Sequence, residues 1–216
     1  MRLLAFDTAT PAVTVAVCDG AHVLAERTVV DARRHGELLA PGIDAALRRA
    51  GLERTELDGV AVGVGPGPFT GLRVGLMTAR VLGTTLDVPV FGVCTLDALA
   101  QAAALATGLS GEYGVATDAR RKEVYWARYD GLDRVTGPHV DRPAEAAAQL
   151  TGLPVVGAGA ALYPDAFPHH EEPLHPSAAA LARWVTDGRP TVPPQPLYLR
   201  RPDAVEPGRP KRVSPV

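Results

Sequence analysis

Lysine is nearly absent from this sequence: Lys122 and Lys211 are the only two, and arginine carries almost all the positive charge. With 22 basic and 24 acidic residues the formal charge is −2 at pH 7, so no global field pulls the chain toward nucleic acid or an anionic membrane. Cysteine is as scarce. Cys18 and Cys94 both lie in apolar runs and read as buried free thiols of a reducing compartment, which argues against a disulfide scaffold. Serine occurs only at Ser110, Ser177 and Ser214, never in a G-x-S-x-G setting, and this speaks against a serine hydrolase. No apolar run approaches the roughly 18 residues that a membrane helix needs. The apolar stretch at the N-terminus, broken by Asp7, is too short for a signal peptide. A cytoplasmic protein is expected.

The 216 residues, 46% apolar and 21% charged, suit a globular α/β protein with a substantial core. Residues 3–9 are a near-continuous apolar run. Residues 12–20 alternate and end in Asp19-Gly20, a hairpin signal, and residues 22–29 follow as a third strand. A helix is expected over 36–50, with Leu38, Leu39, Ile43, Ala46 and Leu47 on one face and Gly51 as its stop. A strand (59–64), a helix, a strand (88–93) and an Ala-rich helix (96–106) complete the order β-β-β-α-β-α-β-α. A second, smaller α/β unit is expected over 107–201, with strands at 113–120, 123–130 and 154–160 and helices at 143–150 and 177–186. Residues 202–216, Pro-rich and basic, read as a disordered tail.

GVGPGPFTGLRVGLMTARVLG, residues 63–83, raises the sharpest question. Strand, glycine turn and helix can hold a phosphate, yet no lysine completes a Walker loop. Thr70 stands at the third position of G-x-G-x-x-G, and Pro66 and Pro68 remove two N–H donors from the turn. The helix itself carries only Arg73 and Arg80 between Phe69 and Leu86, so it requires burial on more than one side. Gly71, Gly75, Ala79 and Gly83 recur every fourth residue as a shallow strip, at a cost of about 1 kcal/mol per glycine in helix propensity. The strip's partner is either a helix of another molecule or an element of this chain.

Four stretches together resemble one family: LLAFDTATPAVTVAV, GVGPGPFTGLRVGL, the DAR-x-x-EVYWA of residues 118–127, and PLYLR at 196–200. They are similar to the TsaB (YeaZ) family, subunits of the bacterial machinery for threonylcarbamoyladenosine in tRNA. The resemblance spans residues 3 to about 200; Pro68 departs from it, standing where the family usually has a serine. It implies an actin/Hsp70/sugar-kinase-like (ASKHA) fold made of two βββαβαβα halves. It further implies a catalytic paralogue, TsaD, whose metal-binding H-x-x-x-H falls where this chain has Thr95 and Leu99. Neither side chain offers an imidazole, so no metal or cofactor is expected here. The implied role is a non-catalytic scaffold that binds TsaD, assembles with the TsaE ATPase, meets tRNA mainly through the complex, and forms a homodimer when alone.

The docking residues expected on this reading are Leu38, Leu39, Ile43, Leu47, Gly71, Leu72, Gly75, Leu76, Ala79 and Gly83. In a kinase-like fold an Asp-Gly-Thr turn after the first strand handles nucleotide phosphates and Mg²⁺. Here the turn is Asp7-Thr8-Ala9-Thr10, without the glycine, and Asp118 opens a comparable turn in the second half; Asp7, Thr8, Thr10 and Asp118 read as remnants that stabilise turns. The alternative is an independent ATP-dependent kinase or hydrolase using Asp7 and Asp118. Arg120, Arg121 and Lys122, with Tyr125, Trp126 and Arg128 beside them, are candidates for RNA contact. Alternation along a strand makes at least one of the aromatics core. Arg200, Arg201, Arg209, Lys211 and Arg212 add basic charge. HHEEPLH (169–175) reads as a solvated loop, and His35 and Glu37 as the lead-in to a helix.

Overall fold

A computed structural model describes residues 1–200; the tail expected at 202–216, with Arg201, Arg209, Lys211 and Arg212, lies outside them. The first half runs β1 (Arg2–Asp7), β2 (Ala12–Asp19), β3 (His22–Val30), α1 (His35–Ala50), β4 (Gly59–Gly63), α2 (Phe69–Leu86), β5 (Val90–Val93) and α3 (Thr95–Thr107). The second repeats the order: β6 (Glu112–Asp118), β7 (Val124–Asp130), β8 (Asp133–Asp141), α4 (Pro143–Gln149), β9 (Val155–Val156), α5 (Ala158–Leu162), β10 (His170–Glu171) and α6 (Ala178–Thr186). Each half forms a five-stranded sheet, ordered β3-β2-β1-β4-β5 and β8-β7-β6-β9-β10. In both, the first strand lies between an antiparallel hairpin partner and a parallel strand reached through a helix. The shared strand order is the duplication written in topology.

The sheets are covered by an exchange of helices. α1 and α2 seat Leu39, Ile43, Leu47, Leu72 and Leu76 on one face of the first sheet. Its other face is closed by α6, the last helix of the second half, through Leu181, Trp184 and Val185 against Leu3, Ala5 and Ala61. α3 reciprocates: Leu96, Leu99 and Ala103 pack with Tyr113, Val115 and Tyr129 of the second sheet. β1 and β4 are therefore covered on both faces, which is why they read as continuous apolar runs. Among the described residues no helix is long and apolar enough to cross a membrane.

One expectation of the second half needs correction. The strand expected over 154–160 stops at Val156; Gly157, at φ 109°, turns the chain into α5. A side chain at Gly157 would lie 2.2 Å from the Ala116 carbonyl oxygen, so only glycine lets this turn rest on β6. β8 is implied by the duplicated fold but has no signal of its own in the residues. Its polar, half-exposed residues and the Gly137-Pro138 pair hide an edge strand from any periodicity. Within the HHEEPLH loop, His170–Glu171 add the short edge strand β10, while His169, His170, Glu171 and Glu172 are exposed as expected.

Candidate functional site

The turn after β1 is sealed. Asp7 is fully buried; its Oδ1 accepts from the Ala9 amide at 2.6 Å and its Oδ2 from the Thr95 hydroxyl at 2.7 Å. Burial pushes the Asp7 carboxyl above its ordinary range, against the opposing pull of the Thr95 and Ala9 hydrogen bonds and of nearby His35. Thr95 also accepts from the Gly65 amide at 3.1 Å, so its one hydroxyl is used in both directions. β4 approaches so closely that a side chain at Gly63 would occupy the Asp7 carboxylate. The Gly/Pro turn closes the other side: a Cβ on Gly67 would lie 2.1 Å from the Ala9 carbonyl oxygen. Outside the seal is a small hollow of about 240 Å³, where Arg33, His35 and Arg120 meet Thr8 and Thr10. His35 Nε2 donates to the Thr10 carbonyl at 2.8 Å.

Thr8 does something sequence reasoning did not foresee. Its hydroxyl donates to the Gly71 carbonyl at 2.7 Å and accepts from the Gly75 amide at 3.0 Å. Those two groups are the i and i+4 partners of one helical hydrogen bond, so the β1 turn is stitched into the first turns of α2. This is the reason for glycine at both positions. A Cβ at Gly71 would come within 2.5 Å of the Thr8 carbonyl, and one at Gly75 within 2.5 Å of the Thr8 hydroxyl. Gly83 repeats the pattern lower down, where a Cβ would meet Val90 at 2.3 Å.

The expected docking set is corrected accordingly. Gly71, Gly75, Ala79 and Gly83 face this chain's own sheet, and Leu72 and Leu76 are core beside them. Leu39, Ile43 and Leu47 are buried on the same sheet, and only Leu38 is half-buried. The spacing was right for close approach but could not say to what. The outer side of α2 instead exposes Met77 (57%) and Val81 (59%), four residues apart, with Arg73 and Arg80 exposed beside them. α2 has no side-chain cap at Pro68; Phe69 and Tyr198 pack at its start with ring centroids 4.4 Å apart, and Arg73 Nε donates to the Tyr198 hydroxyl at 3.0 Å.

In the second half Asp118 is half-buried and accepts from the Arg120 amide at 2.7 Å. Arg120, Arg121 and Lys122 form an unusual run, all left-handed, at φ 60°, 57° and 60°. Such backbone costs a non-glycine residue roughly 1–2 kcal/mol. The turn is held by Ala119 N to Glu123 O, Glu123 N to Arg120 O, and Arg200, which donates to the Ala119 carbonyl at 2.7 Å and pairs with Glu123. That explains part of PLYLR: Leu197 N bonds Val64 O at 2.8 Å, so the segment ties the first sheet to this turn. Both aromatics of the hairpin are core, Tyr125 6% and Trp126 4% exposed, and Trp126 Nε1 donates to Asp141.

The positions matching a metal-binding H-x-x-x-H do not fit a metal. Thr95 spends its hydroxyl on Asp7 and Gly65, and Leu99 is fully buried in the core between the halves. Cys18 and Cys94 are buried and free, and burial pushes the Cys94 thiol up to about 12, which makes it inert.

A duplicated βββαβαβα chain with exchanged helices has the actin and sugar-kinase fold, here with the turn after its first strand packed shut. Comparison with known proteins narrows the class. The family model described as TsaD, tRNA N6-adenosine threonylcarbamoyltransferase, matches residues 22–168. An uncharacterized protein of Mycobacterium tuberculosis is 46% identical over 213 residues, covering 94% of this chain and 93% of its own. The tRNA threonylcarbamoyladenosine biosynthesis protein TsaB of Escherichia coli is 39% identical over 129 residues, 60% of this chain and 55% of that protein. The structure of YeaZ from Pseudomonas aeruginosa superposes with a TM-score of 0.78 at 29% identity, covering 92% of this chain and 99% of that one. A glucomannokinase of Arthrobacter, 12% identical with a TM-score of 0.50 over 87% of this chain and 99% of its own, shares the fold alone. The chain belongs to the TsaB (YeaZ) family.

Proposed function

We propose that this chain is a non-catalytic subunit in tRNA threonylcarbamoyladenosine biosynthesis. In a cytoplasmic complex it docks a catalytic TsaD-like paralogue of its own fold, joined by a TsaE-like ATPase, and self-associates when alone. The names of its relatives support the pathway. One observation carries the docking role: α2 has spent its glycine face on its own sheet and still exposes Met77 and Val81 on the opposite side. Exposed large apolar side chains one helical turn apart mark a seam for another helix. Half-buried Val74 and Thr78 of α2 extend this side. A like-folded partner presents a similar surface, so the same face serves a two-fold dimer and a heterodimer. The sealed Asp7 and the Thr95–Leu99 substitution support the non-catalytic half of the reading.

Light scattering tests it with a Met77→Glu/Val81→Glu variant, alone and mixed with the organism's own TsaD. The wild type is expected to be a dimer alone and to convert to a one-to-one complex. The variant is expected to be a monomer that no longer binds, with stability within about 0.5 kcal/mol of wild type because both side chains are exposed. An unchanged heterodimer from the double variant overturns the docking face.

A further inference from the structure

On the second half, away from the outer side of α2, lies an open cleft of about 930 Å³. Arg121 and Lys122 of the left-handed turn form one wall, Arg142 and Pro143 at the start of α4 another, and Leu162, Tyr163 and Asp165 the third. We propose that this cleft binds a single-stranded segment of RNA, with phosphate held by Lys122 and Arg142 and a base laid against Tyr163. It rests on the tRNA-modification reading for the identity of the RNA, but its chemistry comes from the cleft itself.

The charge pattern carries the first part. The two carboxylates of the turn are neutralised by other arginines, Asp118 by Arg120 and Glu123 by Arg200. Lys122 and Arg142, by contrast, form no ion pair among the described residues. A chain with net charge −2 thus keeps uncompensated cations together at one place. The strained backbone is the second part: three consecutive left-handed residues, fixed by Asp118 and Arg200, project cationic side chains from a rigid turn. Strain that a neighbourhood is built to hold is a pointer to function.

The cleft's other walls choose the ligand. Phosphate alone needs only cations, whereas half-buried Tyr163 with Pro143 and exposed Leu162 supplies an aromatic and apolar surface for a planar base. Asp165 repels a ligand that is nothing but anionic and accepts hydrogen bonds from the amino groups of a base. An acidic peptide has no use for either. Tyr125 and Trp126, the aromatics nearest in sequence, are core and leave Tyr163 to stack.

The experiment is fluorescence anisotropy of the full chain with a labelled single-stranded RNA 12-mer, polyphosphate of similar charge and a labelled poly-glutamate peptide. Wild type is expected to bind the RNA with log affinity falling against log salt at a slope of about −1.4, as phosphate contact by two cations requires. Lys122→Glu/Arg142→Glu is expected to flatten that slope and weaken RNA binding by at least tenfold. Tyr163→Ala should weaken RNA about five- to tenfold while leaving polyphosphate unchanged. Circular dichroism and TsaD binding by light scattering accompany each variant and are expected to be unaffected, since α2 is untouched. Equal RNA binding by the charge-reversal variant, equal affinity for poly-glutamate, or Tyr163→Ala weakening polyphosphate as much as RNA overturns the proposal. Loss of TsaD docking by the Met77/Val81 variant with RNA binding intact, or the reverse, separates the two readings.

Discussion

Replacing Gly75 with alanine tests the stitch between β1 and α2. The new Cβ would stand 2.5 Å from the Thr8 hydroxyl, closer than side chains pack, with Val62 at 3.7 Å behind it. Thr8 is short and buried at the end of β1, so relief comes by turning the hydroxyl away and losing its bonds to Gly71 and Gly75. Two buried hydrogen bonds cost about 1 kcal/mol each, overpacking adds about 1–3, and the better helix propensity of alanine returns about 1. The net expectation is a loss of about 2–4 kcal/mol. Thr8→Ala alone costs about 1 kcal/mol, because the Gly71 carbonyl and Gly75 amide can then bond each other within the helix. In that background the clash is gone, and Gly75→Ala should be neutral or stabilising by up to about 1 kcal/mol. The cycle therefore predicts a coupling of at least about 2 kcal/mol. Urea unfolding followed through Trp126 and Trp184, at two protein concentrations, measures it. Gly75→Ala that is harmless alone, or equally harmful beside Thr8→Ala, refutes the reasoning. An effect seen only at high concentration would return the strip to an intermolecular role.

Asp7→Asn should keep the fold, since its amide oxygen can accept from Ala9 and its NH₂ can donate to Thr95. Burial raises the Asp7 pKa above 3.8, so the wild type's share of stability from this group is full below that value and is lost as pH rises through the folded pKa. The stability of Asp7→Asn relative to wild type should thus rise from pH 3 to pH 7; a flat or falling difference in urea midpoints contradicts it. Arg134→Met leaves buried Asp97 with the Tyr129 hydroxyl at 2.7 Å and the charge of Arg189 but without the guanidinium at 3.1 Å. With Arg134 about a third exposed, the expected loss is about 2 kcal/mol at pH 7. Asp97 already titrates high from burial, and the deficit should shrink as pH falls and Asp97 protonates; a pH-independent deficit refutes the pairing.

The first half was legible because its physics is local and repetitive. β1, β2 and β4 are apolar runs with turn residues between them, and α1 carries its core face at helical spacing with a left-handed Gly51 as its stop. The second half hides the same topology. β9 and β10 are two residues each, and α5 is a five-residue helix rich in alanine and glycine. Their positions come from contact with neighbours and not from their own patterns: β9 and α5 lie on β6, where a Cβ on Gly159 would lie 2.7 Å from the Thr117 backbone, and β10 pairs with β9. The helix exchange was equally out of reach. Nothing in α6's amphipathic sequence says that its apolar side lies on the other half's sheet.

The glycine strip shows what spacing alone leaves open. Glycines four apart state that something comes within backbone distance of one helix face; they carry no information about whether that something is a helix of another chain or a threonine of this one. The choice is made by Thr8, which lies 63 residues from Gly71 and 67 from Gly75, too far in sequence for the strip's spacing to point to it. Once its hydroxyl is engaged there, the phosphate role and the docking role of the strip fall together, because both needed the same space. What is left for a partner is the side of α2 that the pattern ignored, where Met77 and Val81 meet solvent. The stitch and the proposed docking surface are then opposite faces of one helix. Gly75→Ala must act on stability and Met77→Glu/Val81→Glu on assembly, with neither crossing over.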